Sequence, residues 1–126
     1  MTEIRLEHVS YAYDNEKILE DINLQVTSGE VVSILGPSGV GKTTLFNLIA
    51  GILEVQSGRI ILDGEENPKG RVSYMLQKDL LLEHKTVLGN IILPLLIQKV
   101  DKAEAIARAD EILATFQLTA VRDKYP

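Results

Sequence analysis

The sequence lacks cysteine, long apolar runs and basic stretches. Without cysteine, neither a disulfide framework nor a thiolate metal site can form. The longest apolar block, Ile91 to Ile97, has seven residues and includes Pro94. A bilayer-spanning helix needs about 20 such residues, so this block is too short to cross a membrane. The N-terminal region carries Glu3 and no apolar run, and we therefore expect no signal peptide.

The formal net charge of −5 lies in the first thirty residues, which hold seven acidic and two basic side chains. The acidic residues are typical of a solvated face. Because no basic stripe exists, we expect no nucleic-acid partner. The chain of 126 residues is long enough for one modest domain with a core, and 45% hydrophobic residues are ordinary for a globular protein.

Residues 31–50 carry the clearest chemical signal. Val31 to Leu35 is a short apolar run rich in β-branched residues, which predicts a buried strand. A helix is predicted from about Lys42 to Ala50, with Leu45 and Leu48 on its apolar face. The loop between the two has the pattern of a phosphate-binding loop, Gly-x4-Gly-Lys-Thr.

Each fixed position of this loop has a physical role. Gly36 and Gly41 let the backbone curl and turn its N–H groups inward as an anion-binding nest. The helix N-terminus adds a partial positive charge at the same place. Lys42 contributes a point charge for the β- and γ-phosphates, and the Thr43 hydroxyl can ligate Mg²⁺.

Short apolar or alternating runs predict further strands around this loop. In the first strand, alternation places Ile4, Leu6 and His8 on one face and Val9 on the other. Asp63 and the glycine after it suit a hairpin turn. The predicted strands are Ile4 to Tyr13, Ile22 to Val26, Arg59 to Leu62 and Arg71 to Leu76.

The pattern changes to helix after Gln77. Thr86 is a good N-cap for a helix over Val87 to Gln98, which Pro94 is expected to kink or split. Asp101 and Glu104 have the spacing of a capping box that starts a helix over Lys102 to Phe116. Its predicted apolar stripe consists of Ile106, Ala109, Leu113 and Phe116.

Several single residues have alternative interpretations on spacing alone. Tyr13 or Tyr11 could stack on a nucleotide base or simply cover the core. Gln77 could reach Mg²⁺ or be a polar loop residue, and Asp63 could be a metal ligand or a turn residue. His8 and His84 have no evident ligand partners.

Taken in order, these motifs resemble the N-terminal part of an ATP-binding subunit of an ABC transporter. His8 to Tyr13 resembles the family's base-stacking A-loop, which selects Tyr13 over Tyr11. Gly36 to Thr44 matches its Walker A motif, and Gly58 to Gly64 resembles the hairpin that follows, which makes Asp63 a hairpin residue. Tyr74 to Gln77 resembles the Q-loop. The stretch after Gln77 is similar to importers of the nitrate, sulfonate and taurine group.

The resemblance implies an α/β P-loop fold in three layers, with an antiparallel β-subdomain and a partial helical subdomain. Residues 1–77 would form the β-subdomain with the Walker A core, and residues 78–126 would belong to the helical subdomain. The family's signature motif, Walker B aspartate, catalytic glutamate, D-loop and switch histidine follow later and have no match here. We therefore expect a chain that ends before the signature motif and does not hydrolyse ATP by itself.

The resemblance also implies site roles for ATP and Mg²⁺. Tyr13 would stack on adenine, and Thr43 with Gln77 would hold Mg²⁺. Lys42 and Gln77 would be the catalytic residues. The phosphate-binding residues would be Gly36, Ser38, Gly39, Val40, Gly41, Lys42, Thr43 and Thr44.

The same resemblance implies partners and a location. The full protein would work as a homodimer beneath integral-membrane transport subunits, in the cytoplasm on the inner face of the membrane, and would drive import. Three alternatives remain open. They are a small P-loop kinase or GTPase with Asp63 as its Mg²⁺ ligand, a non-catalytic nucleotide-binding fragment, and an ABC-type ATPase of DNA repair or translation.

Overall fold

The computed structural model describes residues 2–66 and 69–126, and the chain divides after Met75 into two compact units. The first unit contains an antiparallel sheet in the order β2-β1-β3-β4 and the helix α1. Its strands are β1 Glu3–Tyr13, β2 Glu16–Thr27, β3 Ser57–Leu62 and β4 Glu65–Glu66. The helices are α1 Lys42–Ile49, α2 Val87–Ile97 and α3 Lys102–Thr115, followed by a 3₁₀ turn at Thr119–Val121.

A bulge in β1 changes which side chains face the core. Simple alternation places Leu6 and Val9 on opposite faces, but both are buried, at 1% and 0% exposure. The pairing register shifts between them, and His8 has a φ of 52°. Since an extra residue in a strand reverses the alternation beyond it, the bulge brings Val9 to the face of Leu6. The predicted face assignment is therefore wrong beyond Glu7.

Gly58 allows β3 to pass this bulge. Its φ is +79°, and a Cβ at this position would lie 2.3 Å from the carbonyl oxygen of His8. Both the positive φ and the lack of space exclude a side chain at this position. Gly58 thus accommodates a close backbone approach, which the sequence pattern did not predict.

The helix α1 packs on the sheet as its apolar spacing predicts. Leu45 and Leu48 are buried, and Gly51 follows the helix with a φ of 71°, as expected for a residue that ends a helix. The core of the first unit consists of Leu6, Val9, Leu19, Leu45, Leu48 and Ile60.

Two predicted strands do not form. Val31 to Leu35 has no regular secondary structure, and Val31 is 95% and Leu35 91% exposed. Arg71 to Leu76 is also irregular, and Tyr74 instead stacks its ring on Phe46 at 6.5 Å. A strand requires a neighbour for its backbone hydrogen bonds, and neither run pairs with any segment of the described residues. The apolar pattern of a segment therefore does not show whether a neighbouring strand exists to pair with it.

In the second unit, α2 has a well-bonded N-terminus. Thr86 Oγ1 accepts a hydrogen bond from Gly89 N at 3.1 Å, which confirms the predicted cap. The N–H groups of Val87 and Leu88 donate to the carbonyl oxygens of Lys124 and Arg122, at 2.8 and 2.9 Å. The end of the chain thus satisfies two donors that a helix leaves unpaired.

The helix α2 is continuous through Pro94, so the expected split does not occur. Packing against α3 offsets the loss of a helical hydrogen bond, because Ile92 of α2 is buried together with Ala105 and Ala109. Among the described residues, no helix combines the length and apolar character that a membrane crossing requires.

The helix α3 begins as predicted and ends one residue early. Asp101 accepts hydrogen bonds from Ala103 N and Glu104 N at 3.0 and 3.4 Å. Glu104 pairs with Arg108 on the helix surface, so only the aspartate half of the capping box is seen. Phe116 lies past the helix and is 68% exposed, which removes it from the predicted apolar stripe.

Candidate nucleotide-binding site

The loop before α1 is packed so tightly that its last residue must be glycine. Gly41 has a φ of +105°, and a Cβ on it would lie 2.9 Å from Leu19 Cδ2 and 3.2 Å from the carbonyl oxygen of Ile18. The loop therefore rests directly on β2. Gly39 also has a positive φ, of +82°, but its surroundings are open. Gly39 and Gly41 thus supply the positive φ angles of the loop, whereas Gly36 has none and is instead close to Val40, whose Cγ1 would lie 2.9 Å from an added Cβ.

Lys42 folds its ammonium group back onto the loop. Its Nζ donates hydrogen bonds to the carbonyl oxygens of Gly36 and Pro37, both at 2.6 Å. The charge is thus held against the backbone of the loop. A compact, strongly hydrated ammonium at this place is suited to a phosphate group.

The N-terminus of α1 keeps its donors free of side-chain caps. The first helical hydrogen bond joins Leu45 N to the carbonyl oxygen of Gly41 at 2.9 Å. The N–H groups of Lys42, Thr43 and Thr44 precede it, and no side chain caps the helix. No acidic residue lies in the first turn. Free donors, the helix dipole and the Lys42 charge together make this end fit an anion.

All of the predicted phosphate-binding residues lie together in the first unit. Ser38, Gly39 and Val40 form the exposed tip of the loop. Thr43 is exposed at the first turn of α1, whereas Thr44 is 8% exposed and packs into the protein. The hydroxyl of Thr43 is therefore the one that a bound metal ion could reach.

Gln77 belongs to the second unit and is exposed. Its expected role towards Mg²⁺ stays a prediction. His84 is also exposed in that unit.

The two candidate tyrosines differ in accessibility. Their rings meet edge to face, with centroids 4.9 Å apart and planes at 75°. Tyr13 is 45% exposed, whereas Tyr11 is partly buried and burial raises the pKa of its phenol. Tyr13 at the end of β1 therefore offers the more open aromatic surface, and Tyr11 supports it from the side.

Asp63 has the bonds of a turn residue. It lies between β3 and β4 with a φ of 52°. Its Oδ1 accepts a hydrogen bond from Glu3 N at 2.9 Å, and its Oδ2 lies 3.4 Å from Arg71 Nη2. Both oxygens are thus engaged in holding the hairpin, as the resemblance implies. In the part of the chain that the structure describes, no group of three or more acidic or histidine side chains could hold a metal ion.

His8 has a partner that the sequence pattern does not reveal. Its Nδ1 lies 2.7 Å from Asp21 Oδ1, and its backbone N–H donates to Asn23 Oδ1 at 2.9 Å. Hydrogen bonds from His8 and then from Asn23 hold the pKa of Asp21 below its usual range. The two strands of the hairpin bring these residues together, and His8 therefore has a hydrogen-bond partner, although no metal-ligand set forms around it in the described residues.

The donor set fits nucleotide phosphates and supplies one oxygen for a metal ion. The loop and α1 offer N–H groups and the Lys42 ammonium, while Thr43 offers a hydroxyl. Mg²⁺ retains several waters and is held in such sites by one or two protein oxygens together with substrate phosphates. The residues present are thus compatible with Mg²⁺ bound mainly through a nucleotide.

Comparison with known proteins agrees with this geometry. A family model described as ABC transporter matches residues 19–126. The spermidine/putrescine import ATP-binding protein PotA of Aggregatibacter actinomycetemcomitans is 40% identical over 98% of this chain and 34% of its own length. The sulfate/thiosulfate import ATP-binding protein CysA of Thermosynechococcus vestitus is 37% identical over 98% of this chain and 38% of its own. The chain thus spans about a third of the length of these relatives.

Solved structures give the same result for the fold. An ATP-binding cassette of an ABC transporter superposes with a TM-score of 0.84 at 27% identity, over 99% of this chain and 58% of that one. A dimeric cassette in a post-hydrolysis state with ADP and Pi has a TM-score of 0.78 at 26% identity, over 98% of this chain and 61% of that one. With its Walker A loop and its cassette fold, the chain belongs to the ABC transporter family.

Proposed function

We propose that this chain is the phosphate-binding part of an ATP-binding subunit that drives solute import. The observation that carries the proposal is the ammonium of Lys42, the first residue of the uncapped helix α1, which lies 2.6 Å from two carbonyl oxygens of the loop. This arrangement collects positive charge and free donors at one point. Such a point suits the terminal phosphates of a nucleoside triphosphate.

The residues divide the work of holding the nucleotide. The N–H groups from Ser38 to Thr44 bind the phosphates, and Lys42 orients the β- and γ-phosphates while balancing their charge. Tyr13 stacks on adenine. Thr43 would provide a protein ligand for Mg²⁺, and the family resemblance suggests Gln77 as a second one; the ion would neutralise phosphate charge when bound.

The whole protein is proposed to hydrolyse ATP as a dimer on transport subunits. Relatives of this chain are named as import ATP-binding proteins, and one similar cassette is dimeric with ADP and Pi. We infer a homodimer on the inner, cytoplasmic face of the membrane, with Gln77 and the helical unit turned towards the membrane subunits. Closure and opening of the dimer would drive transport. The solute group stays a prediction.

The kinase or GTPase alternative loses its main support. It requires Asp63 as a metal ligand, and both oxygens of Asp63 are engaged by Glu3 and Arg71. The match to the ABC transporter family model points away from it as well. The alternative of a non-catalytic nucleotide-binding fragment describes the behaviour that we expect of the 126 residues alone.

Calorimetry with ATP and Mg²⁺ tests nucleotide binding. Lys42→Ala should abolish detectable binding while the circular dichroism spectrum stays unchanged, because the loop loses its only side-chain charge among residues 36–44. Lys102→Ala, at an exposed position at the start of α3, is the matched control and should bind as the unaltered chain does. Unchanged affinity in Lys42→Ala would refute the proposal.

A phosphate-release assay separates binding from turnover. The 126 residues contain no match to the family's signature motif or to its Walker B aspartate, so we expect no steady ATP turnover from them alone. Lys42→Ala supplies the background. Steady release that depends on Lys42 would contradict this expectation and would restore the case for a compact P-loop enzyme.

A further inference from the structure

Gln56 continues the sheet with its side chain where the backbone of β3 has ended. The last β1–β3 pair is Ser10 with Ser57. Two residues further along β1, the N–H of Ala12 donates to Gln56 Oε1 at 2.9 Å, and Gln56 Nε2 donates to the Ala12 carbonyl oxygen at 3.0 Å. The backbone N–H and carbonyl groups of Ala12 are thus both bonded to the side-chain amide of Gln56. This is the pattern of a hydrogen-bonded antiparallel pair, with a side-chain amide in place of a peptide group.

These two hydrogen bonds between Gln56 and Ala12 form a clasp that holds β1 directly before Tyr13. On the other edge of β1, Tyr11 pairs with Leu19 and Tyr13 pairs with Glu16 of β2. The chain then turns through Asp14 and Asn15, which have φ angles of 46° and 69°. Without the clasp, this end of β1 would be bonded on one edge only, because β3 does not extend beyond Ser57 on that side.

The clasp lies between the two residues that carry the rings. Tyr11 and Tyr13 flank Ala12 and project to one face of the strand, where their centroids lie 4.9 Å apart. A cavity of about 240 Å³ adjoins this part of β1 and is lined by Ser10, Tyr11, Ala12 and Gln56 among others. Since this space leaves the strand without close packing there, the two hydrogen bonds from Gln56 and the pairing with β2 together hold the backbone beside Tyr13.

We propose that Gln56 is a positioning residue for the aromatic platform of Tyr13, and that it thereby sets the preference of the site for an adenine nucleotide over a bare triphosphate. The inference rests on the proposed function, in which Tyr13 carries the base. Gln56 touches neither phosphate nor base in this account. Gln56 acts on the position of the Tyr13 ring by holding the backbone of Ala12, the residue before it.

The chemistry requires an amide of this length. Glutamate retains the acceptor for Ala12 N–H but has no donor for the Ala12 carbonyl oxygen. Methionine has nearly the same length and neither group. Gln56→Met therefore removes both hydrogen bonds to Ala12, whereas Gln56→Glu removes only the one to its carbonyl oxygen. Neither substitution changes the side-chain volume much.

The test compares two ligands, ATP with Mg²⁺ and inorganic tripolyphosphate with Mg²⁺, by calorimetry on the 126-residue chain. We expect Gln56→Met to weaken ATP binding about threefold to tenfold, because a displaced Tyr13 ring loses part of its stacking on the base, and to leave tripolyphosphate unchanged. Gln56→Glu should weaken ATP binding at least as much as Gln56→Met, because its carboxylate oxygen would face the Ala12 carbonyl oxygen, and it should also leave tripolyphosphate unchanged. Gln25→Met, on the exposed side of β2, is the matched control and should change neither ligand.

A double variant locates the effect. In a Tyr13→Ala background, Gln56→Met should cause no further loss of ATP affinity, because the two residues act through one platform. Additive losses, or equal loss of ATP and tripolyphosphate, would assign Gln56 a general structural role and overturn the inference. Unchanged ATP affinity in Gln56→Met would also overturn it. Failure of the unaltered chain to bind ATP in a Lys42-dependent way would instead refute the proposed function itself.

Discussion

The two units treat their helix N-termini in opposite ways. In the second or helical unit, Leu76–Pro126, Thr86 caps α2 and Asp101 caps α3, so donors at both helix starts are satisfied within the protein. In the first unit or β-unit, Met1–Met75, α1 has no side-chain cap and presents its N–H groups beside Lys42. A capped helix end contributes to stability, whereas an open one keeps its donors for a ligand. The difference is the one expected if the first unit binds an anion at α1 and the second unit does not at α2 and α3.

The units also differ in the reach of their contacts. The β-unit is held by pairs far apart in sequence, such as Glu3 N with Asp63 at a separation of 60 residues. The helical unit relies more on near neighbours, for example Asn90, whose amide bonds the carbonyl oxygens of Leu82, Lys85 and Thr86. Elements built from near neighbours form from local patterns, while distant pairing needs the correct partner strand.

The largest effect is expected from Gly58→Ala, which should unfold the β-unit selectively. The new Cβ would lie 2.3 Å from the carbonyl oxygen of His8 and 2.4 Å from that of Glu7. Both are backbone atoms, which cannot move aside as a flexible side chain can, and the φ of +79° adds strain. We expect a loss of roughly 3–5 kcal/mol in the free energy of unfolding. Hydrogen exchange resolved by residue should show reduced protection in β1 and β3 and little change in α2 and α3.

Gly64→Ala is the control for this prediction, because Gly64 has a φ of +82° and nothing within 4 Å of the added Cβ. It should cost only the positive φ, about 1 kcal/mol. Equal losses for the two variants would mean that the close approach to the bulge does not matter.

The next effect concerns the helical unit alone. Ala109 is fully buried at 0% exposure where α2 packs on α3, so Ala109→Leu should overpack this contact and cost about 1–3 kcal/mol. Ala107→Leu, on the exposed side of the same helix, should stay within about 0.5 kcal/mol. Denaturant unfolding followed by helical circular dichroism measures both. Reduced protection of β1 in the buried variant would show that the units do not unfold separately.

A smaller effect is expected from pH, through Asp110 and Arg122. The guanidinium of Arg122 donates to Asp110 at 2.6 Å and holds the pKa of that carboxyl below its usual range. A lowered folded-state pKa gives stability that is present above the unfolded value, about 3.9, and is lost as the pH falls through the folded value. The helical unit should therefore lose stability below about pH 4.

Asp110→Asn removes the titrating group and should flatten this part of the stability curve, as thermal unfolding across pH 2–6 would show. A steep acid loss retained in Asp110→Asn would assign the dependence to other carboxyls.

The smallest effect on folding is expected at Val31. Its side chain is 95% exposed, so Val31→Ser should change the free energy of unfolding by less than about 0.5 kcal/mol. Self-association should nevertheless fall, because an unpaired apolar segment can pair with another chain. Light scattering over a range of concentrations tests this, with Thr27→Ser, at a paired position of β2, as the control. Unchanged scattering would exclude the segment as the cause of association.

Elements with local signals could be predicted from the sequence. The Gly-x4-Gly-Lys-Thr pattern located the loop, and apolar spacing with Thr86 and Asp101 located α2 and α3 to within a residue or two. Spacing could not decide between Tyr11 and Tyr13, and nothing in the pattern pointed to the amide of Gln56. Its two hydrogen bonds span 44 residues, a separation at which local sequence carries no signal.

By itself, the sequence determined the chemistry of the loop and the starts of the helices, because phosphate binding and capping need fixed residue types at fixed short spacings. Only the tertiary structure decided the bulge at His8, which places Leu6 and Val9 in one core, and the unpaired state of Val31 to Leu35. The physical reason is that a strand is defined by its neighbour. Register, bulges and exposure arise from pairing between distant segments, and a one-residue shift in that pairing reverses every side chain beyond it.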